Sequence, residues 1–160
     1  MEGKTPAESL STVTIVMQHA LANSAGFIHG GEIMKLVDTT AGVASMRHCN
    51  GRVVTVEVDT LTFLAPVHIG DLVTLNAVVT QAWRSSMEVE VCVWREDPRL
   101  GEKEQTTTAY LTMVAVDEHG RPVPVPPLVA ETEENIKRQR DAETRRETRM
   151  EIKRRLTTEN

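Results

Sequence analysis

The sixteen residues NSAGFIHGGEIMKLVD, positions 23 to 38, put an amide, a glycine pair and a carboxylate around the head of an apolar stretch. A glycine pair entering a helix lets a second backbone or a ligand approach the unpaired N–H groups of the first turn. Those donors, reinforced by the helix dipole, suit the oxyanion of an acyl-transfer reaction, although glycines there also serve as close packing points. Asp38 lies in MKLVDTTAGVA, among apolar or small neighbours. A desolvated carboxylate needs a partner. One kept at a cleft suits a general base or nucleophile, and a hydrogen bond to a neighbouring strand is the structural alternative. Asn23 falls in a turn, where asparagine commonly satisfies nearby backbone. Taken together, the three groups fit metal-free attack by water guided by Asp38.

Other chemistries find less support. The histidines, His19, His29, His48, His68 and His119, are scattered without helix-face or knuckle spacing, so no metal site is expected. No nucleophile elbow, P-loop or dinucleotide fingerprint occurs. Cys49 and Cys92 lack the spacing of a metal knuckle or redox dithiol and read as reduced, buried thiols. A net charge of −5 and a pI near 5.6 give no basic footprint for nucleic acid. No apolar run reaches the ~18 residues of a membrane span, and MEGKTPAESLST has no signal-peptide pattern. A cytosolic enzyme or binding protein is the expectation.

These groups must be positioned by one domain, the default for 160 residues. With 40% hydrophobic but only 3% aromatic residues, the core must be aliphatic, which favours sheet packed on helix. Thr12 to Ala20 reads as a strand closing near Ala22. From Gly31, residues Ile33, Met34, Val37, Ala41, Ala44, Ser45 and His48 recur at helical spacing, predicting a largely buried helix stopped by Gly51. Strand composition follows at Val53 to Phe63, Leu72 to Trp83, Met87 to Trp94 and Thr106 to Val116. In MEVEVCVW, Val89, Val91 and Val93 alternate with Glu88, Glu90 and Cys92. Arg84-Ser85-Ser86 can close a hairpin. PVPVPPLV, residues 122 to 129, reads as an extended connector. From Glu131 onward nine Lys or Arg and eight Asp or Glu are spaced to pair along a helix. That helix is expected to be solvated and docked lightly through Ile136, Ile152 and Leu156, or else to act as an arm over a subunit or ligand. The division is a domain over residues 1–130 and a charged helical extension over 131–160.

The sequence resembles the hotdog-fold acyl-CoA thioesterases, in particular the cytosolic (brain-type) acyl-CoA hydrolase branch. The resemblance rests on N-x-x-G-x-x-H-G-G from Asn23 to Gly31, MKLVDTTAG at 34 to 42, RHC at 47 to 49 and VVTVEVDTLTFLAPVHIGDLV at 53 to 73. It continues in RSSMEVEV at 84 to 91, in TTTAYLTMVAVDEHGRPVPVPPLV at 106 to 129 and into the tail. It implies an α+β hotdog fold, an antiparallel β-sheet wrapped around a central α-helix. It also implies a cytoplasmic homodimer, assembled as a trimer of dimers, with two equivalent sites at the dimer interface. Asp38 from one subunit would activate water or attack the thioester, and Asn23 from the other would orient water or substrate. Backbone amides at His29, Gly30 and Gly31 would hold the oxyanion, and Arg84, Ser85 and Ser86 would approach coenzyme A. No cofactor is implied beyond the coenzyme A of substrate and product. Gln18 to Ala22 and Thr39 depart from the pattern of many relatives. The rival readings are a non-catalytic acyl-CoA or nucleotide-binding regulator and an acyl-carrier-protein thioesterase. Met34, Phe63 and Met87 are candidates for lining the acyl tunnel.

Overall fold

The computed structural model describes residues 1–158. The chain begins with one helical turn, α1 (Pro6–Ser9), and enters strand β1 (Ser11–Val16). β1 ends earlier than its composition predicts. The chain is pulled out of the sheet where Met17 N–H donates to Asp71 O and Gly70 N–H to Met17 O, and it then makes a 3-10 turn at His19–Leu21.

Helix α2 (Gly30–Cys49) follows the predicted spacing, and Ile33, Val37, Ala41, Ala44, Ser45 and His48 are buried. Its stop comes from Asn50, not Gly51: Asn50 takes the left-handed conformation (φ 51°) and its N–H bonds Met46 O. Lys4 Nζ donates to Arg47 O at 2.8 Å, placing a cation at the negative end of the dipole.

Four strands complete the sheet: β2 (Arg52–Phe63), β3 (Leu72–Ala82), β4 (Ser86–Asp97) and β5 (Glu102–Val116). All pairings are antiparallel, in the order β1-β3-β4-β5-β2, so β2 forms one edge. Val89, Val91 and Val93 of β4 join Val73, Leu75, Leu111 and Met113 in the core under α2. Small residues on α2, Ala41, Gly42, Ala44 and Ser45, let the helix sit close to that layer. Cys49 and Cys92 are free thiols, half-buried where full burial was expected, and desolvation pushes both thiol pKa values up.

The proline-rich segment is a strap across the end of α2. Val123 and Val125 N–H groups donate to Ala115 O and Arg84 O, and His48 Nε2 lies 2.8 Å from Pro126 O. His48 is fully buried, and its Nδ1 has no partner among the described residues. Burial pushes its pKa below the ordinary 6.5. The unfolded chain therefore binds a proton more readily than the folded one. Stability is full above pH 6.5 and is lost as pH falls below it, down to the lowered folded value. Thermal unfolding from neutral pH to about pH 5 should show a smaller loss of Tm in His48→Gln, which keeps a donor to Pro126. An equal loss in both proteins would assign the acid sensitivity elsewhere.

The charged tail forms helix α3 (Glu133–Thr158) on the outer face of the sheet. Ile136, Ile152 and Leu156, the predicted docking residues, are 38%, 54% and 62% exposed. What fastens α3 is buried Ala142 together with charge. Arg145 Nη2 lies 2.6 Å from Glu88 Oε1, and Arg149 Nη1 reaches both Glu88 (3.0 Å) and Asp59 (3.2 Å). The alternation of β4 sends Glu88 to this outer face, where α3 removes it entirely from water. A carboxylate so buried must be paired. Of the charges spaced to pair along the helix, Glu134–Arg138 and Glu151–Arg155 do so, while Arg145, four residues after Asp141, turns to Glu88.

Candidate active site

At the head of α2, residues 22 to 29 make a tight loop. The Oδ1 of Asn23 accepts from the N–H groups of Ala25 (2.9 Å) and Phe27 (3.2 Å), which leaves the two Nδ2 N–H donors without a partner among the described residues. The loop is pinned to the turn before β3 by Ile28 N–H to Val67 O and by the Phe27–His68 bridge. His29 caps α2 with its ring, Nδ1 accepting from Gly31 N–H at 3.4 Å, and its own N–H donates to Leu21 O. Of the three backbone amides expected at an oxyanion, that of His29 is therefore occupied and that of Gly31 weakly so. Gly30 is the first helical residue, whose N–H has no intrahelical acceptor.

Glycine at position 30 also has a steric cause. A Cβ there would stand 3.3 Å from Phe63 Cζ, so the missing side chain lets the ring lie against the helix end. Phe63, with Phe27, Ile33, Leu64 and Pro66, lines an apolar pocket of about 380 Å³ that opens at Gly30. Phe63 is half exposed and Met34 nearly so, whereas Met87 is fully buried.

Asp38 sits two turns further along α2. Against expectation it is exposed, on the helix face that also shows Met34 (45% exposed) and Met46 (45%). That face lies beside the edge strand β2, whose Val54, Val56 and Val58 are 44–55% exposed. Thr55 Oγ1–H donates to Asp38 Oδ1 at 2.5 Å and fixes the carboxylate to the sheet. Sequence reasoning missed Thr55. Its only signal was position, one β-branched residue among many in VVTVEVDTLTF.

The protein brings Asn23, His29, Gly30 and Gly31 together but does not bring Asp38 to them. Gly31 and Asp38 are seven residues apart on one helix, about 10 Å along its axis. Arg84, Ser85 and Ser86 close the β3–β4 hairpin through Trp83 N–H to Ser86 O, and Ser85 O accepts from Ala115 N–H. This hairpin lies at the Asp38 end of the sheet. Thr55 pairs with Met113 and Met113 with Met87, the residue after Ser86. No group of three metal-ligating side chains occurs among the described residues.

An antiparallel five-stranded sheet packed around one long helix is the hotdog fold. The chain matches the thioesterase superfamily over residues 25–102 and belongs to that family. It is 43% identical over 114 residues to the uncharacterized acyl-CoA thioester hydrolase YkhA of Bacillus subtilis, covering 71% of this chain and 66% of that protein. It is 39% identical over 116 residues to the cytosolic acyl coenzyme A thioester hydrolase of Rattus norvegicus, covering 71% of this chain. The chain thus spans just under two thirds of the first of these relatives and 30% of the second. Among solved structures, an apo-hexameric acyl-CoA thioesterase superposes with TM-score 0.92 at 35% identity, over 95% of this chain and 97% of that one. The acyl-CoA hydrolase of Staphylococcus aureus, solved with butyryl coenzyme A and coenzyme A, gives 0.87 at 30% identity over 98% and 96%. Alanine variants of that enzyme at an asparagine, an aspartate and a threonine have also been solved. The three positions are separated by 15 and 17 residues, the separations of Asn23 from Asp38 and of Asp38 from Thr55. No helix among the described residues is long and apolar enough to cross a membrane.

Proposed function

We propose that the protein is a cytoplasmic acyl-CoA thioesterase whose site is completed by a second copy of the chain. The observation that carries this reading is the separation of the two halves of the chemistry. The donors of Asn23 and Gly30 lie at one end of α2, and Asp38 lies exposed two turns away beside an unpaired, valine-rich edge strand. An exposed apolar edge invites pairing with another strand. An isologous β2–β2 contact relates each residue to its mate by a two-fold axis, so the donors of one protomer can face the acid of the other. The hexameric neighbours are in keeping with such an assembly, here a trimer of dimers.

In the proposed reaction Asp38 takes a proton from water as the water attacks the thioester carbonyl, or attacks that carbon itself. Asn23 Nδ2 and Gly30 N–H of the facing protomer stabilise the oxyanion that forms. On the water route, collapse expels the coenzyme A thiolate, which takes up the proton held by Asp38, and leaves the carboxylic acid. On the direct route it leaves a mixed anhydride on Asp38, which water then hydrolyses to the acid and the free carboxylate. The apolar pocket at Phe63 receives the acyl chain. Thr55 is a positioning residue: its hydroxyl orients the carboxylate. Thr55→Val should lower kcat by about ten- to a hundredfold, the worth of one hydrogen bond to a charged group, with KM unchanged and Thr55→Ser restoring most of the rate. A valine variant of native kcat would contradict that role.

The function is tested by thiol release from short-, medium- and long-chain acyl-CoAs, with an acyl-carrier-protein substrate alongside. Turnover of acyl-CoA that free coenzyme A inhibits supports the reading. Turnover of the carrier-protein substrate alone, or saturable coenzyme A binding without hydrolysis, contradicts it.

A further inference from the structure

The proposed chemistry makes no use of α3, yet one stripe of that helix changes character along its length. Arg138, Ala142, Arg145, Arg149, Ile152 and Leu156 recur at three- and four-residue spacing and share one side. Over the protein's own sheet the stripe is committed. Arg138 pairs with Glu90, Ala142 is buried, and Arg145 and Arg149 meet Glu88. The last two members, Ile152 and Leu156, are apolar and each more than half exposed.

The change coincides with the edge of the sheet. Gln81, Glu88, Thr112 and Glu57 form one row across β3, β4, β5 and β2. Helix α3 follows that row: Gln139 and Glu143 hydrogen-bond Gln81, Arg145 and Arg149 meet Glu88, and Arg149 reaches Asp59 of β2. From Gln139 to Arg149 is about 15 Å of helix, and three strand spacings are about 14 Å, so α3 crosses the strands nearly at right angles. Strand β2 is the last one. Ile152 and Leu156 come three and seven residues after Arg149, about 4.5 and 10.5 Å further on, or roughly one and two strand spacings past the edge.

The edge that α3 overruns is the one through which the proposed dimer pairs, so in that dimer the next strands belong to the partner. On the reading of a dimer paired through β2, we infer that the last turns of α3 are an arm across the partner, with Ile152 and Leu156 seated on the outer face of the partner's sheet. The same face of β2 supplies a seat. Val54 pairs with Val114, which lies with Val56 on the outer wall beneath α3, and both Val54 and Val56 are about half exposed. A two-fold axis gives each protomer one arm and one seat, so the contact is self-complementary. The role of α3 is then to fasten the dimer as well as to cover Glu88.

The test follows subunit exchange between labelled and unlabelled protein, native and with the double substitution Ile152→Asp, Leu156→Asp. Both side chains are exposed in the protomer, so its fold and the Glu88 anchors stay in place. By symmetry four apolar side chains leave the contact at once, and exchange should quicken at least a hundredfold. On dilution the variant should fall to protomers and lose thiol release, recovering it at high concentration. Unchanged exchange overturns the inference. So does release of active dimers from a larger assembly, which would assign the stripe to the contact between dimers. Maleimide labelling of the assembled protein gives a second readout. It should modify Lys137→Cys, on the open side of α3, at least tenfold faster than Ile152→Cys, and equal labelling overturns the arm. Binding of the native protein to phosphatidylglycerol vesicles that is lost in the double variant would assign the stripe to a lipid surface and overturn it too. A native protein that hydrolyses acyl-CoA as a monomer would sink the β2 dimer and the shared site together, whereas a stable dimer indifferent to these substitutions would overturn the arm alone.

Discussion

Asp38→Asn should release thiol from acyl-CoA about a thousandfold more slowly than the native protein, with KM and assembly unchanged. Asparagine is nearly isosteric and still accepts the hydrogen bond from Thr55 Oγ1, so the carboxamide stays in place. What it loses is the ability to take a proton or attack carbon. Asp38 is exposed in the protomer, so folding does not depend on its charge being satisfied. A thousandfold is about 4 kcal/mol of transition-state stabilisation, which one acid–base group can supply. A loss of stability in place of rate would make the aspartate structural. A variant with native kcat would remove it from the reaction.

Glu88→Ala should destabilise the fold by about 3–5 kcal/mol, because it strands Arg145 and leaves buried Arg149 with Asp59 alone, against a sheet that α3 shields from water. The carboxylate is 0% exposed and receives Arg145 at 2.6 Å, Arg149 at 3.0 Å and the hydroxyl of Thr80 at 2.9 Å. Breaking one member of such a set leaves uncompensated charge, whereas replacing all of them with apolar groups need cost little. Denaturant unfolding measures the change. The triple variant Glu88→Met, Arg145→Leu, Arg149→Leu should recover much of it. A single-variant loss below about 1 kcal/mol would show that α3 is not fastened through this carboxylate.

These two carboxylates also mark where the sequence was and was not legible. The succession of elements along the chain and the span of α2 followed from strand composition, from the alternation in MEVEVCVW and from three- and four-residue spacing, which are properties of each segment alone. The HGG entry to α2 was legible for the same reason. Glu88 was not. Alternation assigns it to the face opposite the valines, but whether that face meets water depends on a helix beginning some 45 residues later. The charges of α3 look like a solvated surface in sequence, and Arg145 and Arg149 are distinguished only by the Glu88 they meet. Asp38 misled in the opposite sense. Apolar and small neighbours suggested burial in the protomer's own core, yet the same composition suits a face left open beside an edge strand. Thr55 carried no distinguishing signal, because its role comes from register against α2.

The central claim is that Asn23 and Asp38 act from different subunits. Its most direct measurement mixes the inactive variants Asn23→Ala and Asp38→Asn, dissociated and reassembled together. In a mixed dimer one site has lost both groups and the other has both intact. Random reassembly of equal amounts makes half the dimers mixed, so about a quarter of native thiol release should return. If the mixture stays as inactive as its parents while mixed dimers are present, Asn23 and Asp38 do not form a shared site.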